Sequence, residues 1–208
     1  MNDDRSVKTT FLNGILFKNP ICMQALGIFP VITAGTTMKM GVVLSAINAV
    51  LLFCTSLLSA LLFHNLPGWL RQVCYMITGA ALLIPIGFIV SAGAPNTASA
   101  IALFIPLMAV NSILFKRAES LSVQQSVFAA VTDSLANGLG YGLVLTGVSA
   151  VREILGSTTI WGISLPWDRR AEGILLPFGG LIVLGFLAAS FQWITTKIKQ
   201  KQNRMGEG

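Results

Sequence analysis

The chain has 208 residues, of which 54% are apolar and 11% charged, and its mean hydropathy is +0.75. An average soluble domain is about a quarter charged, so the composition excludes a soluble enzyme and implies an integral membrane protein. The net charge of +6 does not point to nucleic acid, because Lys and Arg fall almost wholly between the apolar stretches and form no basic face.

The first ten residues carry Asp3, Asp4, Arg5 and Lys8 around no apolar core, so no cleavable signal peptide is expected. Counted in spans of about 20 residues, the chain predicts six membrane helices, roughly Ile21–Met38, Gly41–Phe63, Val73–Ala92, Thr97–Phe115, Phe128–Ala150 and Gly173–Trp193. The expected fold is a single all-α membrane domain over residues 1–208, with a basic tail at 196–208.

The first span holds Phe29-Pro30-Val31-Ile32-Thr33-Ala34, and the fourth holds Ile105-Pro106 followed by Asn111 and the cluster Lys116-Arg117-Ala118-Glu119. Proline removes a backbone donor, and a buried Asn needs partners that lipid cannot supply, so such residues face protein or a cavity. Broken apolar segments in matching places predict an internal repeat, about 14–92 and 97–195. Between spans two and three, His64 lies in the short loop His64-Asn65-Leu66-Pro67-Gly68 with no second metal-ligating side chain nearby. Cys22, Cys54 and Cys74 show no C-x-x-C spacing and read as small buried hydrophobes.

In the fifth span, Gly138 and Gly142 form a G-x-x-x-G pair, and Ala136 with Gly140 a second small pair, so this helix is expected to approach another closely. A phosphate-binding glycine loop needs a strand entering a helix, and none precedes this run. Asp133 is costly inside a span unless hydrated, paired or used. It is either a helix-capping residue at the interface or part of an ion path or electrostatic element, with Arg117, Glu119, Arg152 and Glu153 as the other charged candidates. Arg152 and Glu153 are adjacent, so on a helix they point in different directions and are expected to pair with other elements. Trp161–Glu172 reads as an external interfacial loop.

Six spans put both termini on one side. Arg5, Lys8, Lys18, Arg71, Lys116, Arg117, Lys197, Lys199, Lys201 and Arg204 lie on that side, against Lys39, Arg152, Arg169 and Arg170 on the other. The ten-to-four asymmetry predicts cytoplasmic termini.

The set Leu26-Gly27-x-x-Pro30, Ile105-Pro106 with Asn111 and Arg117-Ala118-Glu119, Asp133-x-x-x-Asn137-Gly138 with Gly140 and Gly142, Arg152-Glu153-Ile154-Leu155-Gly156, and Leu176-Pro177-x-Gly179 resembles the six-helix membrane subunits of the Rnf and Nqr respiratory complexes. The E subunit of Rnf is the nearest match, and the D subunit of the sodium-pumping NADH:quinone oxidoreductase the next. The resemblance implies two inverted three-helix repeats with broken first helices. It also implies a partner in the inverted homologous A-type subunit, with a [2Fe–2S] cluster held between the two in the membrane. The function implied is that of a subunit, non-catalytic on its own, of an ion-translocating ferredoxin:NAD⁺ oxidoreductase of the bacterial inner membrane. Such a complex couples transmembrane electron transfer to Na⁺ or H⁺ movement, with flavins and further iron–sulfur centres in its other subunits.

The chain departs from the family where the cluster is bound. The family places Cys immediately before the first-repeat Pro and immediately after the second-repeat Asn, and those positions are here Phe29 and Ser112. The glycine usual before Arg117 is Lys116. Phenylalanine cannot bind iron and serine replaces thiolate poorly, so loss or alteration of the cluster is expected. A stand-alone inverted-repeat transporter is the alternative function, with Asn48, Asn111, Asp133 and Asn137 as its candidate polar lining.

Overall fold

The computed structural model describes residues 19–63, 65–124, 127–166 and 170–206. Arg5, Lys8, Lys18, His64 and the stretch 167–169 of the predicted external loop lie outside the described residues.

Helix α1 (Ile28–Thr33) is short, and α2 (Met38–Leu58) follows it across a tight elbow. Thr37 is extended and its hydroxyl accepts the Met40 N–H, so the side chain caps the start of α2. At its far end α2 widens into a π-helical turn, Ser59–Phe63. Helix α3 (Gly68–Gly93) starts directly after extended Pro67 and carries Pro85. Next come α4 (Pro95–Ala100), α5 (Phe104–Leu107), a 3₁₀ turn at Met108–Val110, and α6 (Ser112–Gln124). Helix α7 (Val127–Arg152) runs into a second π turn, Glu153–Ser157. After a hairpin and a 3₁₀ turn (Glu172–Leu175), α8 (Pro177–Gly206) closes the fold.

Among the described residues, four stretches are long and apolar enough to cross a membrane: Met38–Phe63, Gly68–Gly93, Ala130–Ser157 and Pro177–Ile198. They match the predicted second, third, fifth and sixth spans. The predicted first and fourth spans are not continuous helices. Pro20 begins a turn, Ala25 and Gly27 adopt left-handed φ values of 53° and 67°, and only then does α1 form. In the fourth, the chain is interrupted at Ile101–Leu103 and again at extended Asn111. Both interruptions fall in the segments expected to be broken; the correction is that the fold is not purely helical, since β1 (Thr159–Ile160) and β2 (Ile163–Ser164) pair antiparallel, Thr159 opposite Ser164, within and beside the predicted interfacial loop.

The core is the antiparallel pair α2 and α7, with small residues at the contact. Gly138 lies against Ala49, Gly142 against Ser45, and Gly41 against Ser149. The Ser45 hydroxyl donates to the Gly41 carbonyl at 2.6 Å and approaches the Gly142 carbonyl at 3.3 Å. Leu44, Leu51, Leu52, Tyr141, Leu145 and Val148 fill the space around this seam. Helices α3 and α8 flank the core and point most of their apolar side chains outward, Phe88 and Phe186 both 74% exposed. Lipid tails are as apolar as leucine, so such outward apolar faces suit lipid or an apolar partner helix.

Candidate functional site: the broken-helix crossing

The two interrupted segments meet. Gly27 stands at the start of α1 and Ser112 at the start of α6, and the Gly27 N–H donates to Ser112 Oγ at 2.9 Å. The Gly27 carbonyl accepts from the Tyr141 hydroxyl at 3.2 Å, so side chains from the second half hold both faces of one first-half residue. Only glycine fits here. Its φ is left-handed, and a Cβ would stand 2.6 Å from Tyr141 Cε2 and 3.0 Å from Asn111 Oδ1.

Asn111 organises the other side. It precedes α6 in an extended conformation, and its Oδ1 accepts the Ile113 N–H in the manner of a helix cap. Its amide nitrogen donates to Asn48 Oδ1 on α2 at 3.2 Å. Buried Asn19 ties down the chain just before Gly27: its Oδ1 accepts the Ile21 and Cys22 N–H groups, and its Nδ2 donates to the Gly140 carbonyl at 2.9 Å. A pocket of about 300 Å³ opens at the crossing, lined by Gly27–Pro30, Leu107, Val110, Asn111 and Ser112. Phe29, 51% exposed, tilts against Phe104 with ring centroids 6.4 Å apart.

Phe29, Pro30, Asn111 and Ser112 are therefore brought together. Pro106 is not among them: it borders a shallower depression with Ala80, Leu83, Ile84 and Ile105. Gly138 and Gly142 belong to the α2–α7 seam, and Gly140 serves through its carbonyl to Asn19.

The charged candidates divide between two ends of the molecule. Arg117 on α6 approaches Asp133 on α7 at 3.5 Å, and Asn137 Nδ2 donates to the Asp133 carbonyl one turn back. Glu119 accepts from Arg71 at 2.5 Å and from the Tyr75 hydroxyl at 3.1 Å. Ser59, in the π turn, reaches the Ala118 carbonyl and Tyr75. Along this α2–α6–α7 junction several buried polar atoms lack a hydrogen-bond partner among the described residues: Asp133 Oδ2, Asn137 Oδ1, Thr55 Oγ1, Ser56 Oγ and Arg117 Nε. The antiparallel seam, which pairs 49 with 138 and 45 with 142, sets Thr55 and Ser56 level with Asp133. Buried polar groups without protein partners favour water or an ion.

Arg152 and Glu153 sit 19 and 20 residues further along, about 28 Å away at 1.5 Å per residue; Arg152 donates to backbone carbonyls, and Glu153 accepts two backbone N–H groups and the Thr159 hydroxyl. Asp133 is placed inside α7 beside Arg117, so it does not cap a helix.

The donor set at the crossing does not fit the [2Fe–2S] cluster that the resemblance implies. Ser112 Oγ is already an acceptor, Phe29 offers no ligand atom, and no cysteine lines the pocket. Cys22 is buried in the core, and Cys54 and Cys74 lie on α2 and α3. Among the described residues no group of three or more His, Cys, Asp and Glu could hold a metal ion.

Sequence reasoning missed Asn19 and the role of Tyr141. The signal for Asn19 was weak, a lone Asn before Pro20; that for Tyr141 was its place inside the glycine run, where a large polar ring has to reach across the seam.

A family model described as Rnf-Nqr subunit, membrane protein, matches residues 7–196. Relatives named as the D subunit of Na⁺-translocating NADH-quinone reductase align along almost the whole chain. The Shewanella loihica protein is 28% identical over 206 residues, covering 97% of this chain and 98% of the relative. The Aeromonas hydrophila protein is 31% identical over 195 residues, covering 90% and 92%. The Tolumonas auensis protein is 27% identical over 210 residues, covering 100% and 98%.

Proposed function

The chain belongs to the Rnf–Nqr family of membrane subunits, and on that premise we propose that it is a multi-pass subunit of a redox-driven ion translocase. It works within an assembly and catalyses nothing alone. The observation that supports this best is the crossing itself: two broken helices, one from each half of the chain, meet through Gly27 and Ser112. Inverted-repeat membrane proteins place their working groups at such interruptions, where freed backbone groups and helix ends face protein instead of lipid.

In this reading the chain makes six passes as two inverted three-helix repeats, the two short-helix segments counting as the first pass of each. Both termini are cytoplasmic in a bacterial inner membrane. Its neighbours are the other subunits of an Rnf- or Nqr-type complex, the inverted homologous A-type subunit foremost, with flavins and iron–sulfur centres held by them. Asp133, Arg117 and the unpartnered oxygens of Asn137, Thr55 and Ser56 form the polar element beside which Na⁺ or H⁺ moves.

Extraction of the tagged chain from its own membranes in mild detergent tests the assignment. Flavin- and iron-containing partners should come with it. A ferredoxin-reducible preparation indicates the Rnf type and an NADH:quinone activity the Nqr type. A chain that leaves the membrane alone is instead the stand-alone transporter.

A further inference from the structure

The resemblance noted in the sequence implies a cluster-ligand position on each broken helix, and this chain fills both with other chemistry, Phe29 and Ser112. We propose that the crossing has become a metal-free clasp, in which Ser112 and Tyr141 hold the Gly27 peptide from both sides and the chain contributes no ligand to an iron–sulfur cluster. The inference rests on the assembly reading above, because only that reading puts a cluster next to Phe29 and Ser112.

Three observations carry it. First, the Ser112 hydroxyl is already engaged in holding the fold. It accepts the Gly27 N–H at 2.9 Å, while the Tyr141 hydroxyl donates to the Gly27 carbonyl at 3.2 Å. Both polar groups of that peptide residue are thus satisfied by side chains, as a backbone at membrane depth requires. Ligation through Ser112 would need an alkoxide, since iron–sulfur clusters are held by anionic thiolates.

Second, the matching position is apolar and turned outward. The Phe29 ring lies against Phe104 at the mouth of the pocket, so a hydrocarbon face stands where the first thiolate would project. Third, no other thiol of this chain lines the pocket. Cys22 is packed in the core and its N–H is held by Asn19 Oδ1, and the remaining two cysteines belong to α2 and α3. A cluster in the assembly, if one spans the interface, is held entirely by other subunits, and this chain offers it only an apolar wall.

The test compares the native complex with complexes carrying Ser112→Ala, Tyr141→Phe, and a chain with Ser112→Ala joined to alanine at all three cysteines. Iron and acid-labile sulfide per complex are measured together with the EPR signals and their midpoint potentials. The clasp predicts that Ser112→Ala and Tyr141→Phe each lower the melting midpoint, while iron content and every EPR potential stay as in the native complex, even in the thiol-free chain. A fall in iron, or a displaced EPR potential in Ser112→Ala that Tyr141→Phe does not share, overturns the proposal. Where the combined variant does not assemble, the single cysteine replacements are read in the same way, and loss of iron in any of them is equally contrary. Absence of partner subunits in these preparations refutes the assembly reading instead, and the clasp is then judged on the melting shifts alone: unchanged midpoints in both single variants contradict it.

Discussion

Arg152 and Glu153 are neighbours in sequence, yet each reaches a helix end of the opposite sign. The Arg152 side chain is fully buried and, among the described residues, donates to backbone carbonyls: Val31, Ile32 and Gly35 at the end of α1, and Ile174, Leu175 and Leu176 before α8. Glu153 accepts the Met38 N–H at the start of α2 at 2.6 Å, and also the Thr159 hydroxyl and Gly162 N–H. A cation at helix C-terminal carbonyls and an anion at an N-terminal N–H both match the helix dipole. Together the two side chains fix the elbow between α1 and α2, and so fix the half-helix that carries Phe29 and Pro30.

Replacing Arg152 with Met should therefore be severe. Several buried carbonyls lose their donor, each at a cost of about 1–3 kcal/mol, and the net loss should exceed about 3 kcal/mol after relaxation. Arg152→Lys keeps the charge with fewer donors and should fall between. Unfolding midpoints in detergent check the order; a native midpoint for Arg152→Met contradicts it.

Glu153→Gln should be milder, because the amide oxygen still accepts one N–H while the favourable charge at the α2 N-terminus is lost. The expected cost is about 0.5–2 kcal/mol. The same unfolding measurement should rank it well below Arg152→Met.

Gly27→Ala combines a left-handed φ with a clash against the Tyr141 ring. The backbone conformation alone costs about 1–2 kcal/mol for a non-glycine residue, so the variant should be depleted from the membrane. Gly87, inside α3 with nothing within 4 Å of a Cβ, is the control, and its alanine variant should accumulate as well as the native chain.

Gly138→Leu and Gly142→Leu should disrupt assembly more than they alter redox chemistry, because Ala49 and Ser45 already lie 3.3 Å from the Cβ positions. Close packing is what drives helices together in lipid. Blue-native electrophoresis reads the assembly; an intact complex with slowed turnover would place these glycines in the chemistry instead.

Much of the architecture was legible in the sequence, for particular reasons. The four long spans announce themselves by sustained hydropathy, and Pro30, Pro106 and Asn111 mark the two interruptions because a missing donor and a buried amide have no place in a continuous lipid-exposed helix. The small-residue seam was legible from the Gly138 and Gly142 spacing. What the sequence hid were long-range partners. Nothing local says that the Ser112 hydroxyl meets Gly27, 85 residues away, or that Asn19 reaches Gly140 across 121. Arg152 was expected to pair, but its partners are carbonyl groups, which every residue carries and no motif reveals.

The central claim is that two broken helices enter the membrane from opposite faces, and their elbows can be tested directly. Lys39, just after the α1 elbow, and Lys116, in the first turns of α6, are both exposed. In a chain whose three native cysteines are replaced by alanine, Lys39→Cys and Lys116→Cys should react with a membrane-impermeant thiol reagent from opposite sides: Lys39→Cys in right-side-out vesicles and Lys116→Cys only in inverted ones. Labelling of both positions from the same side would contradict the inverted arrangement on which the account rests.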